Sequence, residues 1–217
     1  MKVILFGATG MVGQGVLREC LRDDGVRGVL VIGRSTTGQT HAKLRELVFK
    51  DLFDFGAAGA DLHGYDACFF CLGVSSAGMG ETEYTHLTFD LTVGWAQALV
   101  QVCPALTFVY VSGAGTGGRA MWAQVKGRTE DALLALFPHS YMVRLGALLA
   151  MHGEVSKTRW TRIGYAVLRP LMPLVRAIAP GAVVTTEELG RAMIRVAREG
   201  APKRVLEGSD LRALGAL

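Results

Sequence analysis

The feature that most constrains the fold of this chain is a glycine-rich loop near its N-terminus. The apolar segment KVILF is followed at once by GATGMVG, in which Gly7, Gly10 and Gly13 recur at every third position. The first glycine of such a loop allows a tight turn, the second lets the backbone approach a diphosphate, and the third lets a helix pack closely on the strand. N–H groups at the start of the helix would face the anion. The segment therefore predicts a strand, a loop and a helix that bind a dinucleotide pyrophosphate through Gly7, Thr9, Gly10, Met11, Val12 and Gly13.

Short apolar runs alternate with longer amphipathic segments as far as Gly146. The runs are KVILF, GVLVIG, LRELVF, YDACFFC, LTFVYVSG and SYMVRLG. Helices are predicted from Met11, from about Thr82 to Val102 and from about Arg119 to Phe137. Near-continuous apolar strands separated by helices are typical of a parallel sheet that is buried on both faces. The sequence therefore predicts the α/β class, with a Rossmann-type doubly wound parallel sheet that binds ligands at the carboxyl ends of its strands.

The alternation loosens in residues 147–217. Three arginines in this part of the chain are spaced seven residues apart: Arg162, Arg169 and Arg176. One helix would place them on a common face, as in a membrane-surface element. Pro170 and Pro173 interrupt the segment, and a proline inside a helix costs about 3 kcal/mol. We therefore favour a small, broken helical cover over the substrate side of the cleft, with no stable peripheral membrane contact.

Two further elements are predicted near the C-terminus. Thr185 and Glu188 stand at the spacing of a capping box before an amphipathic helix. A short strand, KRVLEG, follows. A chain of 217 residues with no linker or repeat is expected to form one domain over 1–217, in which 147–217 contributes the cover.

The overall charge and the N-terminus exclude several classes of protein. The formal net charge is only +4 and the basic residues are dispersed, which argues against nucleic-acid binding. The apolar run before the first glycine is too short for a signal-peptide core or a membrane span. We therefore expect a cytoplasmic location and no transmembrane segment.

The cysteines and histidines show no pattern of a redox or metal site. Cys68 and Cys71 form a C-x-x-C sequence, but in a strand this spacing places their side chains on opposite faces, whereas a redox pair needs a helix start. We expect all four cysteines, Cys20, Cys68, Cys71 and Cys103, to be core residues. The histidines at positions 41, 63 and 139 lack metal-ligand spacing, so no metal site is predicted.

The end of the second apolar run bears on the choice of cofactor. An NAD site places an acidic residue there to accept hydrogen bonds from the ribose 2′-hydroxyl. In this chain GVLVIG ends in Arg34 and Ser35, with no acidic residue nearby. A guanidinium binds a phosphate through paired hydrogen bonds, and a serine adds a donor. NADP(H) is therefore favoured over NAD(H).

These segments resemble a known superfamily along nearly the whole chain. The motifs are GATGMVG, GRS, KDLFD, CFFCLGV, VYVSGAG, QVKGRTEDAL and VRLGALL. Together they resemble the atypical or extended short-chain dehydrogenase/reductases, and most closely the Tat-interacting-protein-like group, whose bacterial members are often labelled NAD-dependent epimerase/dehydratase. The resemblance implies that Asp51 and Leu52 lie near the adenine. It also implies that the nicotinamide and its ribose lie beside Cys71, Leu72, Gly73, Leu145 and Gly146.

The chemistry of these relatives uses a serine after the fifth strand and a Tyr-x-x-x-Lys sequence on the next helix. The phenol exchanges a proton, while the lysine lowers its pKa and binds the ribose. By resemblance Ser112 corresponds to the serine and Lys126 to the lysine, but the tyrosine position holds Trp122. An indole N–H donates a hydrogen bond yet has no acid–base chemistry near neutrality. The proton relay is therefore incomplete, while Lys126 can still bind the ribose and Trp122 can either stack on a ligand or pack the cleft wall.

Several residues could replace the missing phenol. The candidates are Tyr84, Tyr165, His86 and His152, each of which is more typical of a structural role. The sequence thus leaves open whether the chain is an enzyme. The first hypothesis is an oxidoreductase acting on a small carbonyl compound, the second a dinucleotide-bound sensor or protein-interaction module, and the weakest an epimerase. The substrate is not predicted, and a monomer or homodimer is expected.

Overall fold

A computed structural model describes residues 1–154 and 183–216 of the chain. The strands are β1 (Lys2–Phe6), β2 (Gly28–Gly33), β3 (Leu44–Val48), β4 (Ala67–Phe70), β5 (Thr107–Gly113), β6 (Ser140–Leu145), β7 (Ala147–Leu149), β8 (Val183–Thr185) and β9 (Val205–Leu206). The helices are α1 (Met11–Arg22), α2 (Glu81–Thr85), α3 (Leu91–Val102), α4 (Met121–Leu136), α5 (Thr186–Glu199) and α6 (Gly208–Gly215), with a 3₁₀ turn at Gly59–Leu62. The arginine series, the two prolines and Tyr165 discussed above lie outside the described residues.

Seven strands form one parallel sheet in the order β3-β2-β1-β4-β5-β6-β9. Strand β1 pairs with β2 on one side and with β4 on the other, so that Phe6 lies opposite both Ile32 and Phe70. The chain runs outward from β1 to β3 and then returns to the other side of β1. The carboxyl ends of β1 and β4 therefore flank the point where the strand order reverses, which is where open α/β sheets bind ligands. The predicted Rossmann-type doubly wound fold is confirmed.

Two apolar cores cover the two faces of the sheet. Alternate residues of each strand point to opposite faces, so Val3 and Leu5 join one core while Ile4 and Phe6 join the other. Helices α1, α5 and α6 pack on the first face, and α3 and α4 pack on the second. Burial on both faces explains why the strands are nearly continuous runs of apolar residues.

Three of the four cysteines are core residues as predicted, whereas Cys71 is only partly buried and lines the end of the sheet. All four thiols are free, and Cys20, Cys68 and Cys103 are buried. Cys68 belongs to the core beneath α3 and α4, whereas Cys71 packs against the core beneath α1 and α5. The two members of the C-x-x-C sequence thus lie on opposite faces of the sheet, as predicted.

The long helix predicted from Thr82 to Val102 is not regular. A five-residue π-helical turn, His86–Asp90, separates α2 from α3. The turn buries Thr88, and the Thr92 hydroxyl donates a 2.5 Å hydrogen bond to the Thr88 carbonyl. Insertions of this kind change the direction in which later side chains point and are frequent near functional sites.

The described part of the predicted cover contains strands as well as helices. Strands β7 and β8 form a separate two-stranded parallel sheet, which the sequence did not indicate. The predicted capping box is present: the Glu188 N–H donates to Thr185 Oγ1 at 3.1 Å, and the Thr185 N–H donates to Glu188 Oε2 at 2.8 Å. Of the helices described, none is long and apolar enough to cross a membrane.

Candidate functional site

The glycine-rich loop connects β1 to α1 with very little space around two of its three glycines. Gly7 has a φ of +80°, and a Cβ there would lie 2.7 Å from the carbonyl carbon of Cys71. A Cβ on Gly13 would lie 2.1 Å from the Gly7 carbonyl oxygen. At Gly10, by contrast, the nearest atom would be the Gly7 oxygen at 3.4 Å, which is an ordinary contact. Gly7 and Gly13 are therefore required by the packing of the protein itself, whereas Gly10 is not.

Helix α1 begins directly after this loop, at Met11. The N-cap residue of α1 is Gly10, which has no side chain to cap the helix, and the first turn of α1 has no acidic residue. The first N–H groups of a helix have no intrahelical acceptor and carry a partial positive charge. The Gln14 side chain donates a 2.9 Å hydrogen bond to the Thr9 carbonyl and so holds the loop. The surface beside Gly10 is shaped and charged to receive an anion.

Two adjoining cavities extend from this loop along the carboxyl ends of the strands. The first has a volume of about 140 Å³ and is lined by residues 7–10, 31–35, Leu52 and residues 71–73. The second has a volume of about 290 Å³ and is lined by Arg34, residues 50–53, residues 72–74, Leu87 and Leu91. They share four residues: Arg34, Leu52, Leu72 and Gly73. We call the two cavities together the strand-end cleft.

The strand-end cleft brings together most of the predicted cofactor residues. Gly7, Thr9, Gly10, Arg34, Ser35, Asp51, Leu52, Cys71, Leu72 and Gly73 line it, and Met11, Val12 and Gly13 form the first turn of α1. Sequence reasoning missed Lys50 and Phe53, although they flank the predicted Asp51 and Leu52. It also missed Leu87 and Leu91, which the π-helical turn and α3 bring to the cleft from a part of the chain with no local motif.

Residues 50–53 and Arg34 give the cleft both a fixed backbone segment and charged side chains. The backbone of Leu52 is held in place, because the buried Trp95 indole N–H donates a 2.8 Å hydrogen bond to the Leu52 carbonyl. Asp51 is exposed in the second cavity and accepts a 2.9 Å hydrogen bond from the Phe53 N–H. Arg34 and Lys50 both line the second cavity, and neither forms an ion pair within the described ranges. The net charge at this end of the cleft is therefore positive.

The remaining predicted site residues lie on α4 and on the neighbouring ends of β5 and β6. Trp122, Lys126 and Glu130 are four residues apart and so share one face of α4. Glu130 is only 2% exposed, and Arg144 of β6 binds it, with Nη2 2.7 Å from Oε2. The Ser112 hydroxyl donates a 2.5 Å hydrogen bond to Glu130 Oε1. Ser112 therefore belongs to a buried network in which its single proton is already engaged.

Lys126 and Trp122 are the half-buried members of this face. Lys126 Nζ lies 5.5 Å from the centroid of the Tyr110 ring. Burial lowers the pKa of Lys126 from 10.5 to about 8, opposed in part by the charge of Glu130. The Trp122 indole packs over the loop after β5, where a Cβ built on Gly113 or on Gly115 would lie 3.6 Å from it.

The other candidate proton donors that the structure describes are either buried or paired with a neighbouring carboxylate. Tyr84 is buried, and burial raises its pKa. The exposed His86 ring stacks on Phe53 with centroids 4.1 Å apart and pairs with Asp90 at 3.1 Å. His152 binds Glu187 at 2.5 Å.

Leu145 and Gly146, which the resemblance places beside the nicotinamide, are not among the residues that line the strand-end cleft. Leu145 ends β6, and its carbonyl accepts a 2.9 Å hydrogen bond from the Ala114 N–H. Gly146 follows immediately. The pair thus adjoins the loop on which the Trp122 indole packs.

Comparisons with known proteins place this geometry in context. No family model matches the chain. The chain is 26% identical over 176 residues to "Protein FMP52-1, mitochondrial" of Scheffersomyces stipitis, covering 79% of this chain and 77% of that protein. It is 25% identical over 195 residues to "Protein HTATIP2" of Rattus norvegicus, covering 81% and 78%. Among solved structures, the dTDP-glucose 4,6-dehydratase DesIV from Streptomyces venezuelae, with NAD and TYD bound, superposes with a TM-score of 0.69 at 17% identity, covering 99% of this chain and 80% of that one.

The resemblance to the atypical short-chain dehydrogenase/reductase superfamily is confirmed. The fold is that of NAD(P)-binding epimerases, dehydratases and oxidoreductases. The expected cytoplasmic location is wrong: four fungal relatives carry the name "mitochondrial". The prediction failed because the length of an apolar run near the N-terminus carries no evidence for the cytoplasm.

Proposed function

We propose that this protein binds NADP(H) in the strand-end cleft and acts as an oxidoreductase on a small carbonyl compound. The observation that carries the proposal is the unequal packing around the glycines. Gly7 and Gly13 are required by the chain itself, whereas the surface over Gly10 faces the cleft with nothing closer than 3.4 Å to a Cβ placed there. A glycine that the fold does not require, at the start of an uncapped helix, fits a pyrophosphate that approaches the backbone.

The preference for NADP(H) rests on charge at the end of β2. Arg34 and Ser35 follow that strand, and no carboxylate stands there to accept hydrogen bonds from a 2′-hydroxyl. Lys50 lines the same cavity as Arg34. The Asp51 carboxylate lines this cavity as well, so two cations stand against one anion. A 2′-phosphate would meet two cations and a hydroxyl, whereas NAD(H) has no charged group at the 2′ position to offset the excess positive charge.

Titration with NADPH and NADH tests the cofactor assignment directly. Charge-assisted hydrogen bonds contribute about 1.5–3 kcal/mol each, so we expect the parent to prefer NADPH by about 10- to 100-fold and Arg34→Ala to lose most of that preference. Arg22→Ala is the matched control, because Arg22 lies in the last turn of α1, at the end remote from the loop. Equal affinities of the parent for both cofactors would remove the 2′-phosphate assignment, and absence of binding would remove the site.

The reaction would take place beside α4, whose residues line neither cavity of the strand-end cleft. A bound nicotinamide supplies or accepts a hydride. Lys126 has donors for the ribose hydroxyls, and Trp122 forms the wall over the loop after β5. Ser112 could polarise a carbonyl only by giving up its hydrogen bond to Glu130, so we assign it to holding Glu130 in place. A panel of aldehydes, ketones and quinones with NADPH tests for turnover.

A specific observation also favours a second function, that of a dinucleotide-bound sensor without efficient chemistry. Trp122 stands where the relatives' phenol is expected and packs on the chain's own glycines. The variant Trp122→Tyr discriminates the two functions. Turnover that appears only in the variant would identify the parent as a sensor, whereas a parent that already turns over and is unchanged by the substitution would exclude that function.

A further inference from the structure

We propose that Lys126 itself exchanges the proton with the substrate oxygen, through its Nζ atom, in place of the missing phenol. The inference deepens the proposed oxidoreductase function and rests on it. It assigns to the lysine a direct acid–base role, in addition to any binding of the ribose.

The first argument is the absence of a carboxylate partner for Lys126. Glu130, one helical turn further along α4, is the acidic residue on the same face. Arg144 approaches both of its carboxylate oxygens, with Nε 3.2 Å from each, and the Ser112 hydroxyl takes a further position on Oε1. Within the described residues Lys126 forms no ion pair. The ammonium therefore keeps its protons available.

The second argument is the apolar surroundings of the amine. The Tyr110 ring lies 5.5 Å from Nζ, and Trp122 precedes Lys126 by one turn on the same face. Because this environment disfavours the charged form, burial brings the pKa of Lys126 to about 8. An acid–base catalyst works best when its pKa lies near the working pH, since both protonation states are then populated.

The third argument is that the neighbouring hydroxyls are poorly suited to the task. Burial raises the pKa of Tyr110 and that of Tyr84, so neither phenol gives up its proton easily. The Ser112 proton is engaged by Glu130. Among these groups near the Trp122 wall, the Lys126 amine is the one whose proton is both labile and uncommitted.

The proposed step balances as a carbonyl reduction. With NADPH as the hydride donor, oxidised to NADP⁺, a hydride would add to the carbonyl carbon, which is reduced. The π electron pair of the C=O bond would move to the oxygen, and the Lys126 ammonium would give that oxygen a proton. The lysine becomes a neutral amine and regains a proton from water. In the oxidation direction the neutral amine accepts the hydroxyl proton.

The geometry also gives Arg144 a positioning role. Its guanidinium offsets the charge of Glu130, which would otherwise pair with Lys126 and raise the pKa of the amine. Arg144→Gln should therefore shift the titration of Lys126 to higher pH.

The experiment measures the amine and the reaction separately. NMR of protein labelled at lysine ¹³Cε follows the titration of Lys126, identified by the signal that disappears in Lys126→Arg. We expect a midpoint near 8 and a shift to higher pH in Arg144→Gln. Lys126→Arg keeps the positive charge but cannot deprotonate, so it should retain NADPH binding and lose about 10²- to 10⁴-fold in kcat. Lys203→Arg, on a residue that pairs with Asp210 at 2.9 Å, is the matched control.

The possible outcomes separate this inference from the function on which it rests. Support would be a midpoint near 8 together with a parent kcat for reduction that falls above that pH and a Lys126→Arg variant that binds NADPH but is nearly inactive. A midpoint above about 9.5, or unchanged kcat in Lys126→Arg, would overturn the inference while leaving the oxidoreductase intact. A parent that binds NADPH but reduces no carbonyl would overturn both.

Discussion

The two halves of the proposed site are built from different parts of the chain. The cofactor half consists mainly of backbone: the glycine loop, the start of α1 and the ends of β2 and β4. The α4 half consists of side chains, namely Trp122, Lys126, Glu130, Ser112 and Arg144. Backbone geometry is sensitive to a single added methyl group, whereas side-chain chemistry can change within a constant fold. The comparison teaches that a glycine pattern can be recognised from the sequence alone, whereas the chemistry of the α4 half depends on which side chains meet there.

The halves also differ in how they hold charge. At the cofactor end, Arg34 and Lys50 are exposed and line an open cavity. On α4, Glu130 is buried and bound by Arg144 and Ser112. Exposed charges are screened by salt and contribute little to stability, whereas breaking a buried pair leaves a charge without a partner. The first half should therefore respond to substitution in ligand affinity and the second in folding.

The largest effect is expected from removing the buried carboxylate. Glu130→Ala leaves the Arg144 guanidinium without its partner and should lower the free energy of unfolding by about 3–5 kcal/mol. Urea denaturation measures the loss. Asp131→Ala, on the exposed side of the same helix, should change stability by less than about 0.5 kcal/mol. Similar losses in the two variants would contradict the role of the buried network.

The next effect separates packing from ligand binding within the glycine loop. Gly13→Ala places a Cβ 2.1 Å from the Gly7 oxygen and should cost about 3 kcal/mol of stability through overpacking. Gly10→Ala meets only an ordinary contact, so it should cost less than about 1 kcal/mol yet weaken NADPH binding about tenfold. Thermal denaturation and NADPH titration of both variants test this. Unchanged NADPH affinity in Gly10→Ala would indicate a simple turn.

A pH-dependent effect should come from the buried amine. Burial holds the folded-state pKa of Lys126 near 8, below its ordinary 10.5, so the unfolded chain binds more protons between these values and parent stability should rise with pH across that window. Lys126→Met removes the cost of burying the charge and should be more stable than the parent by about 2 kcal/mol below pH 8. The difference should fade by about pH 10.5 in urea denaturation. A constant difference would contradict this assignment.

The smallest effect concerns the second cation of the cofactor half. Lys50→Ala should weaken NADPH binding about three- to fivefold and leave NADH binding unchanged, because an exposed cation contributes up to about 1 kcal/mol. The difference should shrink as salt is added. Titrations of both cofactors at two ionic strengths measure it. An equal loss for NADH would place Lys50 near another part of the dinucleotide.

Local signals were sufficient for most of the fold but for only part of the site. Apolar runs predicted six strands of the main sheet, and KRVLEG predicted the place of the seventh. The pattern did not predict the π-helical turn at His86–Asp90, because the apolar spacing of a helix tolerates an inserted residue. The sequence pattern did not predict the pairing of β7 with β8 either, because the two strands are very short and distant in sequence.

The sequence by itself determined the strand–loop–helix at Gly7–Gly13, because there each residue acts through its own backbone and its immediate neighbours. Only the tertiary structure decided that the Ser112 proton is engaged by Glu130 and that Arg144 neutralises that carboxylate. It also decided that Lys126 pairs with no carboxylate among the residues described. These contacts join β5, α4 and β6, and their energies depend on distances and burial that no spacing along the chain encodes.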